Sequence, residues 1–113
     1  MSQITTHVLD TARGRPAIHL PVALSRQMHN GWRPVASGTT NSNGRADNLL
    51  TPGEVLPQGC YRLHFDTQSY FHSQQEHSFY PYVEVVFTIE GDGAHYHIPL
   101  LLSAYGYSTY RGS

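Results

Sequence analysis

Hydrophobic and polar residues alternate along most of this chain with a period of two, the pattern of half-buried strands. In residues 4–10, Ile4, Thr6 and Val8 fall on one face and Thr5, His7 and Leu9 on the other. Residues 20–26 resume the alternation with Val22 and Leu24 inward. Residues 60–65 place Tyr61, Leu63 and Phe65 inward and Arg62 and His64 outward. Residues 82–89 put Val83, Val85, Phe87 and Ile89 on one face. Residues 95–102 are the most two-sided: Tyr96, Ile98, Leu100 and Leu102 make an apolar face, opposite His95, His97, Pro99 and Leu101. Gly106 interrupts a Tyr-rich segment, residues 105–110, that reads as a last strand.

Turn chemistry separates these runs. Gly14 and Pro16 punctuate a loop over residues 11–16, and Asn30-Gly31 predicts a two-residue hairpin turn returning along residues 32–40. Asn41-Ser-Asn-Gly44 is a further turn, directly followed by Arg45. Residues 48–53 read as a short edge strand with its exit at Pro52-Gly53, and residues 90–93 as a hairpin turn. Only residues 66–77 resist a strand reading. They lack Gly and Pro, Asp66 or Thr67 can cap a helix, and Tyr70 and Phe71 can dock on a core. About eight short strands, each near the usual ~5–6 residues, with one short helix and no βαβ alternation, predict an all-β fold: a two-sheet β-sandwich.

The length of 113 residues suits one domain spanning residues 1–113. No run approaches the roughly 20 apolar residues of a membrane span, and residues 1–7 lack the pattern of a signal peptide. The expectation is a cytoplasmic protein without a membrane partner. Cys60 has no partner for an internal disulfide and reads as a small buried filler. A net charge of −1 offers no basic surplus for nucleic acid. All seven basic residues are Arg, and eight His provide groups that titrate near neutrality.

These residue types suggest chemistry at three places. His95 and His97 have the i, i+2 spacing of a His-x-His metal pair, with His7 as a third ligand from another strand. A solvated His-bearing face is the competing reading, since neither a Cys partner nor an H-E-x-x-H pattern accompanies them. Without a metal, imidazoles meeting an arginine could run acid–base chemistry. Arg45 follows a tight turn, and Arg111 stands beside the terminal carboxylate. Nucleophilic catalysis finds no G-x-S-x-G elbow, and Cys60 has no marker of an activated thiol. The tyrosines suit a core, a binding face or a subunit interface.

Residues 6–10 (Thr-His-Val-Leu-Asp), Gly14-Arg-Pro16, Thr40-Asn-Ser-Asn-Gly-Arg45 and the run from Pro99 to the closing Tyr-Arg-Gly-Ser113 resemble the 5-hydroxyisourate hydrolases, transthyretin-like enzymes of urate breakdown. The resemblance covers essentially the whole chain in order. It implies a transthyretin-like sandwich of two four-stranded sheets with one short helix. It also implies a homotetramer, a dimer of dimers, with active sites in a central channel. The family's catalytic residues fall on His7, Arg45 and His97, with Ser113 lining the same pocket and Tyr110 and Arg111 carried over as substrate-binding members of the C-terminal motif. His97 is thereby preferred over His95, which shares its face. The implied reaction is hydrolysis of 5-hydroxyisourate to 2-oxo-4-hydroxy-4-carboxy-5-ureidoimidazoline, with no metal and no other cofactor. The alternative is a transthyretin-type carrier that binds an aromatic ligand without turnover. Ala104 stands where many members have Pro, a change expected to loosen the last turn.

Overall fold

A computed structural model describes residues 2–113. The chain runs β1 (Ile4–Asp10), β2 (Arg15–Pro16), β3 (Pro21–Met28), β4 (Gly31–Thr39), β5 (Arg45–Ala46), β6 (Gly59–Phe65), α1 (Thr67–Ser73), β7 (Val83–Ile89), β8 (Tyr96–Ser103) and β9 (Gly106–Thr109). Two sheets form. One has four strands in the order β4-β3-β6-β7. The other has five: the path β2-β1-β8-β9, with the short β5 also paired to β1. The sandwich expected from alternation is therefore present, with the two-residue β2 and β5 added along one edge of β1.

The predicted faces are the observed ones. Ile4, Val8, Val22, Leu24, Tyr61, Leu63, Phe65, Tyr96, Leu100 and Leu102 are buried between the sheets. At roughly 1.5–3 kcal/mol for each large apolar side chain removed from water, this layer is the main stabilising term. The helix docks through Tyr70 and Phe71, also buried. Its Asp66 cap accepts from the Ser69 N–H at 3.2 Å. The Tyr70 hydroxyl donates to buried Asp10 at 2.6 Å. Burial and this bond push the Tyr70 phenol up to about 12. Arg13 closes the network, reaching Asp10 at 3.0 Å and Glu76 at 2.7 Å.

Several local expectations are corrected. The hairpin pairs Met28 with Gly31, so His29 and Asn30 are the loop residues and Gly31 opens β4. Residues 48–53 form no strand. Leu49 and Leu50 are both buried, which alternation forbids, and the Leu50 N–H bonds the Ser2 hydroxyl rather than a ladder. The helix stops at Ser73 instead of reaching residue 77, because Gln75 adopts a left-handed φ of 57°. Residues 90–93 do not close a hairpin; they carry the chain from β7 in one sheet to β8 in the other. Cys60 is half-buried, since alternation places it opposite the core residue Tyr61.

Most consequential for the site, β1 and β8 run parallel at the centre of their sheet. Antiparallel neighbours usually follow one another in sequence, whereas this pair joins opposite ends of the chain.

Candidate active site

The β1–β8 ladder sets Thr5 opposite His97 and His7 opposite Pro99. The β1–β5 ladder sets His7 opposite Arg45. Directly opposed residues share a sheet face. Thr5, His7, Arg45, His97 and Pro99 therefore project together from the outer face, away from Ile4, Val8, Tyr96 and Ile98. His7 and Arg45, separated by three strands in sequence, become nearest cross-strand neighbours.

A tightly tied turn holds Arg45 there. The Asn41 side-chain oxygen accepts from the N–H groups of Asn43 at 2.9 Å and Arg45 at 3.1 Å. The Asn41 N–H in turn donates to the Arg45 carbonyl at 2.8 Å. Gly44 has φ +75°, and a Cβ there would lie 2.5 Å from the Val8 carbonyl oxygen. Only glycine allows the turn to press against β1. Arg45 enters none of the ion pairs among the described residues, so its planar donors remain free for an anionic ligand.

His97 is held from two sides. Its carbonyl accepts the Gly112 N–H at 2.8 Å, which makes a one-residue antiparallel bridge. A Cβ on Gly112 would stand 2.6 Å from His97 Cδ2. The absent side chain is thus what lets the C-terminal segment lie against the ring. On the other side, Thr5 Oγ1 lies 2.8 Å from His97 Nδ1 and 2.9 Å from His95 Nε2. With Nδ1 engaged, Nε2 is the ring nitrogen left for water or ligand. Sequence reasoning missed Thr5. Its only signal was a hydroxyl on the same face of β1 as His7.

Both imidazoles are held below their ordinary value of 6.5. Burial lowers His7 most, followed by the Arg45 charge; the Asn43 backbone and Asp47 act the other way. For His97 burial again leads, then Arg45, His95 and His7, opposed by Asp47. Each is therefore neutral at neutral pH and able to accept a proton. The patch combines two neutral bases with a fixed cation, an arrangement suited to activating water beside a group that develops negative charge.

The C-terminal residues divide. Ser113 follows Gly112, whose backbone bridges to His97. Arg111 instead stacks over Tyr96, its guanidinium carbon 4.4 Å from the ring centroid, and donates to the His95 carbonyl at 3.4 Å. Tyr96 belongs to the core-facing side of β8. Arg111 and Tyr110 line a cavity with Val85, Phe87 and Ile98 at the open end of the sandwich. Among the described residues no hydrogen bond joins either to His7, Arg45 or the His97 ring. Nor do three or more His, Cys, Asp or Glu side chains among them converge to hold a metal ion. No helix is long and apolar enough to cross a membrane.

Comparison with known proteins adds to this geometry. A family described as "HIUase/Transthyretin family" matches residues 4–112. The 5-hydroxyisourate hydrolase of Mus musculus is 50% identical over 114 aligned residues, covering 99% of this chain and 96% of its own. Among solved structures, sea bream transthyretin in complex with thyroxine superposes with a TM-score of 0.91 at 34% identity, covering 98% of this chain and 95% of that one. Klebsiella pneumoniae 5-hydroxyisourate hydrolase gives 0.85 at 35% identity, with 97% and 98% covered.

Proposed function

The chain belongs to the HIUase/transthyretin family, and on that premise we propose that it hydrolyses 5-hydroxyisourate at the patch of His7, Arg45 and His97. The observation that carries the reading is the ladder register, which puts His7 beside Arg45 and His97 two positions along the same outer face. The shape of the fold does not discriminate between enzyme and carrier, because transthyretin and hydrolase both superpose closely. The side chains do: a carrier has no use for two depressed imidazoles flanking an unpaired arginine.

The substrate is a planar, oxygen-rich ring that readily becomes anionic. Arg45 binds its anionic edge, or the oxyanion that develops, through charge-assisted hydrogen bonds. His7 and His97 hold one water and remove its proton. The hydroxide oxygen bonds to the ring carbonyl carbon, giving a tetrahedral adduct whose charge rests on oxygen beside Arg45. Collapse breaks the adjacent C–N bond, and the proton taken from water is returned to the leaving nitrogen. One water is consumed, and the six-membered ring opens to a carboxylic acid that ionises in solvent, 2-oxo-4-hydroxy-4-carboxy-5-ureidoimidazoline. Ser113 orients water or substrate by its hydroxyl or main chain, whereas Tyr110 and Arg111, which line the cavity on the Tyr96 side of β8, take no part in this step. No metal or organic cofactor enters a step. The reaction belongs to urate catabolism in the cytoplasm.

Residues 1–113 act as one domain, and four copies assemble as a dimer of dimers with the sites in a central channel. Support for assembly comes from the edge strands β4, β7 and β9, which have no further strand beside them among the described residues. The exposed aromatic residues Phe79, Tyr82, Tyr105, Tyr107 and Tyr110 add to it.

The test is an ultraviolet time course in which uricase generates 5-hydroxyisourate in the presence of the protein. The native chain should accelerate its loss. His97→Asn should reduce the rate by about 10²-fold or more, the scale of a lost acid–base group. Near-native turnover in that variant would sink the role given to His97. Thyroxine binding with no effect on 5-hydroxyisourate would favour the carrier reading.

A further inference from the structure

His95 is the imidazole that the hydrolytic scheme leaves unused. It projects from the same face as His97, with ring centroids 6.2 Å apart and planes 20° from parallel. Between the two rings sits one buried hydroxyl. Thr5 is 2% exposed, and its Oγ1 is within hydrogen-bond reach of both ring nitrogens. A hydroxyl has one proton to donate and lone pairs to accept with. It therefore donates to one ring and accepts from the other, and the two tautomers are coupled through it. When Thr5 donates to His95 Nε2, His97 must carry its proton on Nδ1 and present a bare Nε2. When Thr5 donates to His97 Nδ1, His95 carries the proton on Nε2 and His97 presents Nε2–H.

We propose that His95, Thr5 and His97 form a hydroxyl-bridged proton relay, in which Thr5 and His95 are positioning residues that set and reset the tautomer of His97. The inference rests on the hydrolytic reading above. In the forward step, water gives its proton to His97 Nε2 as hydroxide bonds to the carbonyl carbon. The Nδ1 proton of His97 moves to Thr5 Oγ1, and the Thr5 hydroxyl proton moves to His95 Nε2. His97 is left neutral with a proton on Nε2, and the positive charge rests on His95. His95 then returns its proton through Thr5 to His97 Nδ1 as His97 Nε2–H protonates the leaving nitrogen, so that no imidazolate forms and the starting state is restored. No proton is gained or lost.

The gain is electrostatic. An imidazolium at position 97 would stand among Arg45, His7 and His95, in a partly buried site, with Asp47 as the opposing charge. The relay carries the charge to an exposed ring instead. His95 borders a solvent-open depression lined by Gln3, Glu54, Val55 and Gly93, and Arg111 meets only its backbone carbonyl. Water on that side solvates the cation while Arg45 remains free for the oxyanion.

The test compares Thr5→Val, Thr5→Ser and His95→Gln with the native protein, subtracting the spontaneous decay of 5-hydroxyisourate. Valine keeps the shape of threonine and removes the hydroxyl; His95 is exposed, so its replacement leaves folding untouched. Thr5→Val and His95→Gln should each lower kcat by about 10- to 100-fold with KM within about twofold, at the lower end of acid–base contributions. Thr5→Ser should restore kcat to within a few-fold. Added imidazole should raise the rate of His95→Gln, because a soluble base replaces the exposed end of the relay. Nitrogen-15 spectra of histidine-labelled protein give an independent readout: Thr5→Val should change the ring-nitrogen shifts of both His95 and His97. Native kcat in His95→Gln, or unchanged ring-nitrogen shifts in folded Thr5→Val, overturns the relay. A native protein that leaves 5-hydroxyisourate untouched overturns the hydrolytic reading instead, and the nitrogen spectra still decide the bridge.

Discussion

A guanidinium beside two imidazoles makes both harder to protonate. That is the position of Arg45, whose charge adds to burial in holding His7 and His97 below 6.5. The sign of the pH effect follows. Neutral imidazoles act as bases, so the acid limb of kcat/KM should fall below pH 6.5. The unfolded chain protonates these histidines first as pH drops, so acidification through that window also draws the protein toward unfolding. Arg45→Gln should raise the midpoints of both rings in an NMR titration, because one lowering cause is gone. Unmoved midpoints would show that Arg45 does not face them. At this scale the sequence put His7 and His97 on strand faces and Arg45 after a tight turn, and the family resemblance singled out these three. It was silent on Thr5, because nothing in a strand pattern says which hydroxyl will lie between two rings ninety positions away.

Among the elements, β8 and the segment after β9 depend on each other. Gly112 bridges to His97 and packs so close to its ring that no Cβ fits between them. Gly112→Ala should force the ring or the C-terminal segment aside, since contact at 2.6 Å is not tolerated. A displacement of about 1 Å can cost on the order of 10²-fold in rate, so kcat should drop steeply while the fold persists. Native kcat with unchanged His97 chemical shifts would show that the ring yields freely. Alternation located β1, β3, β6, β7 and β8 and separated their faces, while the Asn30-Gly31 turn signal located β4. The same reasoning placed a strand at residues 48–53 and extended the helix to 77. It erred where two consecutive leucines, Leu49 and Leu50, are both buried. It erred again where a non-glycine residue, Gln75, turns left-handed.

At the scale of the whole molecule, Ser2 and Gly112, near the two ends of the described residues, are both tied to the sheet that carries the patch. Ser2 is buried, and its hydroxyl bonds the backbone of Ile4 and Leu50. Gly112 bridges to the backbone of His97. A peptide appended after Ser113 should lower activity by about tenfold or more, following the misplacement argument above, with little change in thermal midpoint. A peptide preceding Met1 should act in the opposite sense, on stability more than on turnover. Activity assays and thermal melts on the two fusions check this, and equal activity in both would remove Ser113 from the site.

What the sequence by itself determined is a set of faces: how side chains divide along the alternating strands, that His95 and His97 share one side of β8, and that Arg45 leaves a tight turn. Local periodicity and glycine stereochemistry are properties of a few consecutive residues, so they are readable without the fold. The tertiary structure alone decided which strands are neighbours. Parallel pairing of β1 with β8 and the attachment of β5 to β1 bring His7, Arg45 and His97 together. The same pairing seats Thr5 between two rings and carries Arg111 to the Tyr96 side of β8 instead. A period of two specifies the face of a residue and says nothing of its partner across the ladder. Register between distant segments is settled by how both sheets close over one core.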